Sequence, residues 1–148
     1  MRTPILASIA ASAVLGFALA CEDQEPTALR WAVRRGTIET SDLTSQLDVP
    51  QAVVAGQPGQ FTVYTYGGGC VRGAYTRASV SGSTAVLEPF DSVVVWLPAN
   101  TGCTDELKMI PHSATITFPQ VGLVTIRIVG WKEPDGVEIA REKTITIQ

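Results

Sequence analysis

Histidine, cysteine and charged side chains are all scarce in this sequence. One histidine, His112, cannot furnish metal sites built on two or three imidazoles, so a blue-copper ligand set is excluded. The three cysteines, Cys21, Cys70 and Cys103, contain no C-x-x-C pair, which removes the thioredoxin-type redox motif. Ser79, Ser81, Ser83, Ser92 and Ser113 are present, but none lies in the G-x-S-x-G turn of a hydrolase nucleophile. Gly67-Gly68-Gly69 lacks the Lys-Ser/Thr of a phosphate loop and reads as a bent or bulged strand end. With 11 basic against 14 acidic residues, the chain has no electrostatic reason to bind nucleic acid. After Cys21 there is no long stretch of helix-favouring Ala, Leu, Glu and Lys. Thr, Val, Gly and Pro are plentiful instead, which is β composition.

What is present begins with the first twenty residues. One positive charge at Arg2 precedes an uncharged run from Pro4 to Ala20, rich in Ala, Leu, Ile and Val and ending in small residues. Glu22, Asp23, Gln24, Glu25 and Pro26 follow directly after Cys21. That is the layout of a secretory signal peptide. The apolar run is shorter than the roughly 20 residues a spanning helix needs, which disfavours a retained transmembrane anchor. With its cleavage point beside a cysteine, the segment resembles the signal of bacterial lipoproteins. Ala18, Leu19, Ala20 and Cys21 fill the places of the lipoprotein pattern, although Ala18 stands where a Leu is usual and Leu19 sits one place late. Ala18-Leu19-Ala20 also reads as an ordinary A-x-A secretion site, which would release a soluble protein.

The lipoprotein resemblance implies cleavage before Cys21, a lipid with palmitoyl chains on that residue, and anchorage at the cell envelope outside the cytoplasm. Cysteine parity agrees. Three thiols cannot all pair in an oxidising compartment, and lipidation of Cys21 leaves Cys70 and Cys103 as one disulfide. Closing that loop should stabilise the fold by roughly 3 kcal/mol. Loss of Arg2 with the signal leaves 10 basic and 14 acidic residues, a formal net charge of −4. Residues 21–46 read as the lipid-bearing cysteine, a polar spacer and a lead-in strand, with a first strand or extended segment from Trp31 to Glu39. Residues 47–148 read as one domain.

Within that domain the strand signals are regular. Leu47 to Val54, interrupted by Pro50, reads as an edge or kinked strand. Phe61, Val63 and Thr65 alternate with Thr62, Tyr64 and Tyr66. Val71–Val80 is a further strand, and Ala85-Val86-Leu87 a short one closed by Pro89. Val93–Leu97 is continuous enough for a buried strand. Pro98–His112 reads as the longest irregular stretch. Ala114, Ile116 and Phe118, then Val124, Ile126 and Ile128, mark core faces, and Val137–Ile139 and Thr144–Ile147 finish the pattern. Turns are expected at Ser81-Gly82-Ser83, Pro119–Gly122 and Pro134-Asp135-Gly136.

Seven to nine short strands without a helix predict an all-β sandwich or barrel. The order resembles bacterial immunoglobulin-like domains, on Val53-Val54-Ala55-Gly56-Gln57-Pro58 before the strand Phe61–Thr65 and on Gly122–Ile128 before a last Thr/Ile strand. The resemblance implies an immunoglobulin-like antiparallel β-sandwich of about 7–9 short strands. It is nearly silent on function, since such sandwiches host many roles. It departs from antibody-type domains in its cysteines, because Cys103 falls in a loop well before the Gly122–Ile128 strand.

No catalytic set or cofactor site emerges. Asp105-Glu106 reads as a solvated loop pair, and His112 as a surface or loop residue beside Pro111. Tyr64, Tyr66, Tyr75, Trp96 and Trp131 are candidate contact residues, with Tyr64 and Tyr66 together opposite Phe61 and Val63 as the sharpest contact face. The expectation is therefore a non-enzymatic binding or structural module, held to a membrane by its lipid, with an envelope protein or carbohydrate as partner. The alternative is an enzyme or metal carrier built around residues 98–112.

Overall fold

The computed structural model describes residues 28–38 and 46–148, and the expected signal segment, Cys21 and its spacer lie outside them. Among the described residues there are eight strands and no helix. They are β1 (Arg30–Arg35), β2 (Leu47–Asp48), β3 (Pro58–Gly67), β4 (Val71–Ser81), β5 (Thr84–Trp96), β6 (Lys108–Thr117), β7 (Gly122–Lys132) and β8 (Val137–Ile147). One sheet has five strands and the other has β2-β3-β6. Both contribute to one core. Phe61, Val63 and Ile116 of the smaller sheet meet Leu87, Ile126 and Ile128 of the larger, all 2% exposed or less. Phe61 and Phe118 pack edge to face, with ring centroids 6.3 Å apart.

β5 organises the larger sheet. β4 runs antiparallel along one of its edges, from Val71↔Val93 to Ser81↔Thr84. The other edge is divided. β7 pairs with Thr84–Leu87, and β1 takes over from Phe90 to Trp96. The β5–β7 pairing is parallel, which corrects the expected all-antiparallel arrangement.

That division explains why Pro89 does not end the strand as expected. Gly36 N–H donates to the Pro89 carbonyl (2.8 Å), so the backbone of Pro89 points to the divided edge. Its missing N–H falls at the changeover between two partners, where no ladder bond is lost. Six of the strands are 10–13 residues long, rather than short. The expected buried strand Val93–Leu97 is instead the end of β5, which stops at Trp96, and it is not buried, Val95 being 60% exposed, because the core-facing alternation of β5 ends at Asp91. The irregular stretch is also shorter than expected, since β6 begins at Lys108.

The lead-in segment belongs to the packed body. Beyond β1, Thr37 bridges both Tyr66 of β3 and Trp131 of β7, and Ile38 is 2% exposed in the common core. Gly67 and Gly69 earn their place by close approach. A Cβ on Gly67 would lie 2.7 Å from Val71 Cβ, and one on Gly69 would lie 2.7 Å from Thr104 N. The contact at Gly69 holds the Gly-rich strand end against the loop that carries Cys103. The Cys70–Cys103 disulfide closes it, with Cα atoms 5.2 Å apart. Replacing both cysteines with serine should lower the unfolding free energy by about 3 kcal/mol in urea titration. An unchanged midpoint would show that the loop is held without the bond.

Candidate functional site

Three polar side chains meet in the interior between the sheets. Thr65 on β3 and His112 on β6 come from the smaller sheet, and Asp91 on β5 comes from the larger. They are 0%, 3% and 1% exposed. His112 Nε2 lies 2.9 Å from Asp91 Oδ1 and 3.0 Å from Thr65 Oγ1. A carboxylate only accepts, so the Nε2–H donates to Asp91 with Thr65 Oγ1 as its second acceptor. Gly36 closes over the group. A Cβ there would fall 2.7 Å from Asp91 Oδ2. The expected loop histidine is thus a buried strand residue. Alternation along β6 fixes this, because Ile110, His112 and Ile116 are buried while Met109, Pro111, Ser113 and Thr115 are exposed.

The same alternation disperses the residues of the alternative enzyme or carrier site. Met109 is on the opposite face from His112, and Asp105 and Glu106 are exposed in the loop. Cys70 and Cys103 are bonded to each other. Ser113 lies 3.4 Å from Thr62 Oγ1 on the outer face. Among the described residues no three His, Cys, Asp or Glu side chains converge as metal ligands. A small polar slot of about 230 Å³ between Gly73–Thr76 and Pro111–Ser113 reaches His112 from the surface. In this setting the Asp91–His112 pair acts as a hydrogen-bonded tie between sheets.

The structure places Tyr64 and Tyr66 on one face, as the alternation requires, but in different surroundings. The Tyr64 hydroxyl donates to Asp48 Oδ2 at 2.8 Å. This hydrogen bond, with some desolvation and the carboxylate charge, raises the Tyr64 pKa above its ordinary value of 10.0. Tyr66 lines a cavity of about 380 Å³ together with Arg34, Ile38, Val71, Leu107 and Lys132.

A larger aromatic and cationic surface lies on the outer face of the five-stranded sheet. On β1, Trp31 and Val33 are 37% and 53% exposed, and the Arg72 guanidinium of β4 sits 4.1 Å from the Trp31 ring centroid. Tyr75, 49% exposed, stacks on Phe90 of β5 at 4.7 Å. Arg35 and Arg77 flank Phe90 at 5.8 and 5.3 Å. Glu88 holds both arginines, Arg35 at 2.6 Å and Arg77 at 3.5 Å, and Glu138 also pairs with Arg35.

Sequence reasoning singled out Tyr75 but missed Trp31, Arg72 and Phe90. The reason is a bulge in β4 between Gly73 and Tyr75. It puts Arg72, Tyr75 and Arg77 on one face, which strict alternation does not. The glycine inside a strand pattern was the available signal.

Comparisons with known proteins give no matching family, no matching curated protein and no matching solved structure. Breaking a buried charge-assisted pair from one side leaves the partner uncompensated. Asp91→Ala and His112→Ala should therefore each lower the unfolding free energy by about 3–5 kcal/mol, and the double variant should lose much less than their sum. Additive losses in urea titration would show that the two side chains do not act as one tie.

Proposed function

We propose that this protein is an exported, non-catalytic binding module, lipid-tethered at Cys21 to the cell envelope, and that the Trp31–Arg72–Tyr75 surface meets an envelope protein. The observation that carries the reading is the type and placement of those side chains. Trp, Tyr and Arg dominate the energetics of protein interfaces, and here they share one sheet face beside the exposed Val33. Glu88 and Glu138 hold Arg35, so part of the surface is ordered before a partner arrives. Arg72 rests on an aromatic ring and has no carboxylate partner among the described residues, which suits it to an acidic group on the other protein.

The export and lipid parts of the reading draw support from the pairing of Cys70 with Cys103. Disulfides persist in oxidising compartments, and this one leaves Cys21 as the odd thiol. The immunoglobulin-like reading is supported by two sheets around one core and by the resemblance at Val53–Pro58 and Gly122–Ile128. The Tyr64/Tyr66 face is a second contact surface, favoured by the cavity beside Tyr66, which carbohydrate could enter.

Intact mass of the protein from its native membranes should show a chain that starts at Cys21 and carries a diacylglycerol or more. Envelope proteins recovered on the immobilised wild type should fall at least about tenfold for Trp31→Ala/Tyr75→Ala, with Thr146→Ala unchanged. An unlipidated mass removes the tether. Equal recovery by the double variant removes the contact surface, and loss with Tyr66→Ala alone moves it to the second face.

A further inference from the structure

The cavity beside Tyr66 has more hydrogen-bond donors than its own residues use. Arg34 of β1 and Lys132 of β7 both line it, and Glu133 is the one carboxylate among the described residues of the lining. Arg34 Nη2 lies 3.3 Å from Glu133 Oε1, and Lys132 Nζ lies 2.5 Å from Oδ2 of Asp135, which is outside the lining. All four side chains are 38–49% exposed. Exposed pairs of this kind are held weakly, and a guanidinium with five N–H groups keeps donors beyond the contact it makes here.

A third donor comes from the backbone. N–H directions alternate along the end of β3. The Gly67↔Lys108 pair closes the ladder with β6, and Gly69 N–H donates to the Thr104 carbonyl in the loop that leads into β6. Tyr66 N–H points the other way and donates to the Thr37 carbonyl at 2.9 Å. Gly68 falls in step with Tyr66, on the side of Thr37, and all three residues line the cavity. Among the described residues nothing accepts from the Gly68 N–H. The other walls are apolar and run from core to solvent. Ile38 is buried, Val71 and the Tyr66 ring are half-buried, and Leu107 is 75% exposed. A volume of about 380 Å³ is within the range that takes a small molecule.

We infer that this cavity binds a sugar that carries a carboxylate, a uronic acid residue. The inference rests on the second contact surface proposed above and names the chemistry of its carbohydrate. A carboxylate has two oxygens and about four acceptor positions, so Arg34, Lys132 and the Gly68 N–H share it. The C–H face of the sugar ring lies on Tyr66 and Leu107. Glu133, still beside Arg34, accepts from a ring hydroxyl. A neutral sugar leaves the donors without a charged acceptor, and a fatty carboxylate brings no hydroxyl for Glu133. A site built on hydrogen bonds discriminates through the groups that the wrong ligand leaves unpaired.

The test is an amide NMR titration of the mature chain in detergent with methyl glucuronide, methyl glucoside and hexanoate. The two sugars differ only in the carboxylate that replaces a hydroxymethyl group. The glucuronide should shift the Gly68 amide resonance saturably and bind at least about tenfold more tightly than the glucoside or hexanoate. Arg34→Gln should remove that preference without moving the thermal midpoint. Arg127→Gln, whose native side chain pairs with Glu142 away from the cavity, should keep it. Equal binding of the two sugars, or a preference that survives Arg34→Gln, overturns the inference and leaves the carbohydrate surface standing. Hexanoate binding as tightly as the glucuronide overturns the sugar as ligand. No shift at Gly68 with any of the three overturns the inference and the carbohydrate reading of this surface together.

Discussion

Hydrogen bonding along β5 is the constraint on which the rest of the structure depends. Its thirteen residues serve β4 on one edge and divide the other between β7 and β1. Every backbone donor in a sheet interior needs a partner, and the one residue that lacks a donor, Pro89, falls where the partners change. From that changeover follow the entry of the chain through Gly36, the two-sided bridging by Thr37 and the burial of Ile38.

The interior mixes two kinds of cohesion. Apolar side chains from both sheets supply the non-directional part. The Asp91–His112–Thr65 group supplies a directional part, because its hydrogen bonds form only when the sheets have one relative position. Such a buried network adds specificity more surely than net stability, since its desolvation opposes its attraction. Gly36 shows how tightly the position is set, because nothing larger than hydrogen fits beside the carboxylate.

The outer face of the larger sheet combines rigidity with exposure. Phe90 is gripped by Tyr75 and two arginines, and Glu88 links those arginines across strands. Arg77 is exposed while Arg35 and Glu88 are part-buried, and surface pairs such as Arg77–Glu88 add little stability individually. Their effect is to reduce the side-chain freedom that a partner would otherwise have to remove on binding.

Local patterning determined a good deal. The alternations Phe61–Val63–Thr65, Ala114–Ile116–Phe118 and Val124–Ile126–Ile128 each mark the buried face, because side chains on a strand alternate whatever surrounds them. The turns at Gly82 and Gly136 were legible because each has a positive φ, which glycine tolerates best. The pairing of Cys70 with Cys103 followed from parity once Cys21 was set apart. Other features were decided by tertiary structure. Whether Pro89 ends a strand depends on which neighbours flank it, and whether Val93–Leu97 is buried depends on how far the opposite sheet extends. His112 could be recognised as a core residue only once Asp91 and Thr65, 21 and 47 positions away, were brought to it. The surface of Trp31, Arg72 and Tyr75 likewise required a bulge and a pairing between distant strands. Periodicity reports which side of a strand is apolar. It carries no information about which strands become neighbours, and contacts between side chains far apart in the chain are set by that choice.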